Sequence, residues 1–196
     1  MQKANVHPHI FYFCQTILAL IVVWFPGNSA LSIEADTSPQ TPTSVTGKAV
    51  LKGTAPDSPL IGEISLTESE EGLIIEANME HVPDPGKHGF HIHEFGDCSD
   101  TGNAAGGHFN PMSAPHGFLP ENGLTHAHAG DMGNMDIDEN GSGHLHVVLP
   151  DVTLISGPHP VAGRAIIIHA KEDDFGQPTG NAGGRIGCGT IIIVKN

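Results

Sequence analysis

At 196 residues and 38% hydrophobic content the chain can bury one sizeable core, and a formal net charge of −14 argues against nucleic acid as a partner. Gly 25 and Pro 15 beside only 5% aromatic residues favour many turns and short strands over helices. A count of 14 histidines is far above ordinary usage, which makes metal binding the first chemistry to consider.

The chain opens with Lys3 and an apolar run from Ile10 to Phe25, followed by Pro-Gly-Asn-Ser-Ala. This reads as an export signal over residues 1–30. The run falls short of the roughly 20 residues of a comfortable membrane span, so an uncleaved anchor is the alternative and the one route to a membrane. Residues 31–45 are rich in Ser, Thr and Pro without periodicity, as in a flexible linker. The expectation is a periplasmic or secreted protein whose domain occupies 46–196.

Within that domain GKAVLKG, LIGEISLTE and GLIIEANMEH are separated by turn-rich pieces. In the third, Ile75, Ala77 and Met79 alternate with Glu76, Asn78 and Glu80, the mark of a half-buried antiparallel strand. MGNMDID and GHLHVVL flank the turn ENGSG, where Asn140-Gly141 is expected to supply positive φ angles. GRAIIIHA and GTIIIVK complete about eight short antiparallel strands. The predicted fold class is all-β, a Greek-key β-sandwich or barrel with long metal-binding and active-site loops.

The richest stretch is 88–131. In GFHIH, Phe90 and Ile92 alternate with His91 and His93, so a strand sends the apolar pair into the core and both imidazoles to the other face, about 7 Å apart at the backbone. The following loop offers His108, His116, His126, His128 and Asp131, more ligands than one ion needs. His108, His116, His128 and Asp131 suit a closed tetrahedral zinc site. His91 and His93 with the distant His169 form an imidazole set that favours copper. Export removes Cys14, leaving Cys98 and Cys188, which an exported protein most simply pairs. His144 and His146 form a second His-x-His on the polar face of a strand, with no third ligand near in sequence, and read as solvent-exposed.

GFHIHEFGDCSD, GGHFNP, HAGDMGNM, GRAIIIHAKEDDFG and TGNAGGRIGCGTI, in this order, resemble the copper/zinc superoxide dismutases, and the likeness covers 46–196. The short distance from His93 to Cys98 is similar to bacterial, exported members. The resemblance implies one copper per subunit on His91, His93, His108 and His169, and one zinc on His108, His116, His128 and Asp131, with His108 bridging the two and His126 left over. It implies that Asp173 links ligands of both metals by hydrogen bonds, and that Cys98 and Cys188 form the disulfide. Arg185 would hold the substrate, superoxide, at the mouth of the copper channel. The implied reaction turns superoxide into dioxygen and hydrogen peroxide by alternate reduction and oxidation of copper, with His108 delivering a proton. Family members occur as monomers and as dimers, so a homodimer is compatible with the sequence. The segment between His169 and Arg185 is shorter than in eukaryotic members and carries one lysine, Lys171, so long-range guidance is expected to be weaker or to come from cations such as Lys87.

Two other readings of the histidines stay open. A zinc hydrolase would leave the second ligand set and Arg185 unexplained. A periplasmic copper- and zinc-buffering module without activity would have no use for Arg185 beside a cationic metal.

Overall fold

The computed structural model describes residues 45–194. The export signal, Cys14 and all of the linker but its last residue lie outside the described residues. The strands are β1 (Thr46–Gly53), β2 (Ile61–Ser69), β3 (Gly72–Glu80), β4 (Gly86–His93), β5 (Asp131–Ile137), β6 (Gly143–Leu149), β7 (Ala165–His169), β8 (Arg185–Thr190) and β9 (Ile192–Val194). Among the described residues helix is confined to a single turn, Leu119–Asn122, and short helical turns over Asp100–Ala105.

Neighbouring strands run in the order β2-β3-β6-β5-β4-β7-β8-β1-β9, and β1 also pairs with β2, so the sheet closes into an antiparallel barrel. β8 and β9 share the eighth position. Lys52 and Gly53 pair with Cys188 and Gly187, while Thr46–Lys48 pair with the β9 residues. The connections from β3 to β4 and from β6 to β7 skip intervening strands, which makes the barrel a Greek key. Closure gives each of β1 to β8 a partner on both sides, with β9 paired to β1 alone, and so limits the exposed sheet edges on which chains aggregate.

Alternation decides the core. Leu73, Ile75, Ala77 and Met79 are buried while Asn78 and Glu80 are exposed, as expected for β3. β7 breaks the pattern, since all five of its residues are buried. Ile166 and Ile168 enter the main core, whereas Ala165 and Ile167 pack outside the barrel with Ala105 and Cys188. The loop that carries Cys98 and Ala105 therefore adds a small apolar layer on the outer face of β7 and β8.

The β5–β6 turn differs from the expectation at one residue. Gly141 alone takes the positive φ, at 76°, and Asn140 does not. Asp138 Oδ1 accepts the N–H groups of Asn140 and Ser142, and Gly141 N donates to Asp138 O at 3.0 Å. The Asp138 side chain thus stabilises a tight turn that needs left-handed backbone only at its glycine.

Candidate metal centre

β4 places His91 and His93 on the outer face, opposite the fully buried Phe90 and Ile92. The segment around His108 runs beside the end of this strand. Phe109 N donates to Ile92 O at 2.8 Å and Glu94 N to Gly107 O at 3.0 Å, which sets His108 against His93. His169 enters from the end of β7, just past a bulge in its pairing with β8. One ligand atom from each of His91, His93, His108 and His169 lies within 4.8 Å of the others. All four residues are at most 5% exposed.

Backbone acceptors and Asp173 settle which nitrogen carries the proton. His93 Nδ1 donates to Gly106 O at 3.0 Å and His169 Nδ1 to Gly183 O at 3.2 Å. Carbonyls only accept, so each Nε2 is left with a lone pair, and the two face one another at 3.3 Å. His91 Nε2 donates to Asp173 Oδ2 at 2.8 Å, and its Nδ1 is buried without a partner. Three lone pairs therefore converge where only a cation relieves their repulsion. Two nitrogens bound about 2.1 Å from one ion stand about 3.4 Å apart, close to the spacing observed. Burial, then the neighbouring His108, lowers the pKa of His93 to about 2. Burial and His91 lower that of His169 to about 3. Burial foremost brings His108 to about 4. These rings are neutral and available as ligands.

A second group lies on the other side of His108. Asp131, fully buried, meets His108 Nδ1 at 2.9 Å, His116 Nδ1 at 2.9 Å and His128 Nδ1 at 3.1 Å. It also accepts the backbone N–H groups of Gly117 and His128. Burial acts to raise the Asp131 pKa, but the close approach of the His108, His116 and His128 rings outweighs it and holds the carboxyl far below its usual range. His116 Nδ1 is buried without hydrogen-bond geometry despite its nearness to Asp131. An ion that displaced the protons would meet three nitrogens and an oxygen, a tetrahedral zinc set. His116 Nε2 reaches Asp173 Oδ1 at 2.9 Å. Burial disfavours its charge, yet the nearby Asp131 and Asp173 carboxylates raise its pKa to about 9.

Asp173 thus joins an outer nitrogen of each group and fixes both rings with their inner nitrogens toward the two clusters. Residues that no spacing in the sequence marks support it. Asn134 bonds the backbone of Asp173 twice, and Gln177 does the same for His116. Gly180 is required by space as well as by its φ of 73°: a Cβ there would lie 1.8 Å from Asp173 Oδ1.

Arg185 opens β8 opposite His169. Its Nη1 and Nη2 donate to the carbonyls of Gly102 and Gly106, and Thr54 Oγ1 donates to its backbone oxygen at 2.6 Å. Its charge lies near enough to contribute to the lowering of His93 and His169. A disulfide joins Cys98 to Cys188 with 5.7 Å between Cα atoms, so the loop that seats Arg185 is tied to the strand that carries it. His126 is exposed and belongs to neither group, and Lys87 is paired with Glu172 at 3.6 Å, which weakens its claim to guide an anion.

The titrations fix how stability depends on pH in protein stripped of metal. His93, His108 and His169 have lowered pKa values in the fold, so below about pH 6.5 the unfolded chain binds protons first. Stability should then fall by up to about 1.4 kcal/mol per pH unit for each such group. The contribution of His116 has the opposite sign: it is present below about 6.5 and lost as pH rises through about 9. Thermal melts across pH should therefore peak close to neutrality.

The family model for copper/zinc superoxide dismutase matches residues 60–191. A superoxide dismutase [Cu-Zn] 2 of Aquifex aeolicus (strain VF5) is 41% identical over 138 residues, 67% of this chain and 79% of that protein. The crystal structure of the clock protein EA4 superposes with a TM-score of 0.67 at 38% identity, covering 78% of this chain and 96% of the other. A closed Greek-key barrel, two histidine-rich groups sharing His108 and a family match across two thirds of the sequence agree: the chain belongs to the copper/zinc superoxide dismutases.

Proposed function

We propose that this chain dismutates superoxide, with copper held by His91, His93, His108 and His169 and zinc by His108, His116, His128 and Asp131. The observation that carries this reading is the convergence of lone pairs from His91 Nδ1, His93 Nε2 and His169 Nε2 beside the seated guanidinium of Arg185. When bound, copper supplies the change of oxidation state that lets one superoxide give up an electron and the next accept it. Arg185 holds the anion with a charge-assisted hydrogen bond, and its fixed position keeps that bond short of the chelating rings. His108 keeps Nδ1 on the zinc side, so Nε2 is the atom at which a proton is held for the departing peroxide. Asp173 fixes the rings of His91 and His116 while this happens. The buried outer layer limits access to small species.

Residues 46–196 are the working domain, and the protein is periplasmic or secreted. The Cys98–Cys188 disulfide supports export, because such bonds persist in oxidising compartments. Left uncleaved, the N-terminal segment would be its link to a membrane.

The full chain loaded with copper and zinc should dismutate superoxide rapidly, and protein stripped of metal should not. Arg185→Gln should slow the loaded enzyme about 10- to 100-fold, the worth of one hydrogen bond to a charged group, without changing its metal content. An unaltered rate would remove Arg185 from the mechanism, and metal uptake with no dismutation would favour a buffering module.

A further inference from the structure

Three of the four residues of the zinc group are held by the barrel or by one another. His108 bridges to His93 at the end of β4, and Asp131 opens β5. His128 is tied to Asp131 twice, since Asp131 N donates to His128 O and His128 N to Asp131 Oδ2. His116 has no such support. It lies in the irregular stretch before Leu119–Asn122, and among the described residues its N–H and C=O have no main-chain partner. One side chain from another loop takes both: His116 N donates to Gln177 Oε1 at 2.9 Å, and Gln177 Nε2 donates to His116 O at 2.9 Å. A primary amide carries an acceptor and a donor side by side, so it matches the N–H and C=O of a single residue as a two-point clamp. Peptide groups of a buried residue such as His116 are costly to leave unpaired.

The base from which Gln177 acts is itself fastened down. Asn134 of β5 grips the backbone of Asp173 in the same two-point manner, at 2.7 and 2.9 Å. Beyond it Phe175 N donates to Asp173 Oδ1, Gly176 N to Asp174 Oδ1 and Asp174 N to Gly180 O. Segment 173–180 is therefore a knot tied to the barrel wall, and the Gln177 side chain reaches from it to His116. We propose that Gln177 is a positioning residue for zinc: it holds His116 in place before the ion arrives and so sets zinc affinity separately from copper affinity. This rests on the assignment of zinc to His108, His116, His128 and Asp131. Without the clamp, the ion would have to order a loop residue itself, at the entropic cost of fixing its backbone. With the clamp that ordering is already done, which is how preorganisation raises affinity. Asp173 acts on both ions because it bonds His91 as well as His116, whereas the two bonds of Gln177 go to His116 alone.

The test uses the full chain loaded with copper and zinc and the variant Gln177→Met, which keeps the reach of the side chain and removes both bonds. Gln177 is exposed, so the change spares the core. Competition with a chelator should show zinc held about tenfold more weakly in Q177M, the net worth of one to two hydrogen bonds. Copper affinity, measured in the same way, should match the parent's. Cobalt(II) titrated into copper-loaded, zinc-free protein gives a second readout, since its visible absorption reports tetrahedral coordination. The saturated spectrum of Q177M should equal the parent's while half-saturation shifts by the same factor as for zinc, because His116 still reaches the ion once ordered. Zinc affinity equal to the parent's would overturn the proposal. So would an equal loss of copper, the sign of a general loosening, or an altered saturated spectrum, the sign of a missing ligand. None of these readouts involves dismutation, so a failure of the clamp and a failure of the enzyme reading are told apart.

Discussion

Replacing Cys98 and Cys188 together by serine should cost about 4–5 kcal/mol of stability, since the bond closes a loop of 90 residues in the unfolded chain. Urea midpoints and slopes of oxidised, metal-stripped protein and of the C98S/C188S variant would measure the loss, with a larger m-value expected for the variant because its unfolded chain is no longer cross-linked. An unchanged midpoint would mean that the bond constrains the unfolded chain little. The effect should reach the chemistry as well. Cys98 O accepts the N–H of Gly102, and the carbonyls of Gly102 and Gly106 seat Arg185. With the bond gone, this loop keeps the small apolar cluster of Ala105, Ala165 and Ile167 and its hydrogen bonds to Phe95 N and His93 Nδ1, but loses its covalent tie to β8. The variant loaded with both metals should therefore dismutate more slowly while retaining its metals. Equal rates would show that the seat of Arg185 does not depend on the tether.

Asp173→Asn should lower the affinity for both ions at once, by about 10–100-fold each, although Asp173 belongs to neither tetrad. The carboxylate accepts from His91 Nε2 and from His116 Nε2, and an amide of the same shape can accept only through its oxygen. One of the two rings then meets an N–H group and turns over its tautomer, placing a proton on the inner nitrogen that the ion requires. Chelator competition, run separately for copper and zinc, would measure the two losses. A loss confined to one ion would show that the linkage is one-sided, and no loss would show that the loops orient the rings unaided.

Much of this was legible in the sequence, for definite reasons. Period-2 alternation in GFHIH placed His91 and His93 on the face opposite Phe90 and Ile92 because strands leave no other choice. The ordered motif blocks marked His108, His116, His128, Asp131, His169, Asp173 and Arg185, and the fold gathers all of them around one outer patch of the barrel. What stayed hidden depends on pairings across distance. No local pattern says that Gly106 and Gly183 carbonyls choose the tautomers of His93 and His169. Nor does any pattern say that Asn134 and Gln177 brace the centre, or that Glu76 lies between His144 and His146. The Asn140 error has the same origin, for the Asp138 carboxylate takes over the work expected of a second left-handed residue.

The closed ring of strands also imposes an order on how the protein matures. β1 is the seam, pairing with β2 on one side and with β8 and β9 on the other, so the cylinder cannot seal until residues 185–194 have been made. By then every histidine and carboxylate of both groups has already been synthesised. Strand β8 brings with it Cys188, Arg185 and the last hydrogen-bonding edge. Until it arrives, β1 and β7 each present an unpaired flank, the hazard of any half-built sheet. Sealing of the cylinder, formation of the cross-link and arrival of the anion-binding cation are therefore one late event. A chain cut short before residue 185 would still carry its metal ligands, but it would have neither a closed wall nor the charge that draws the substrate.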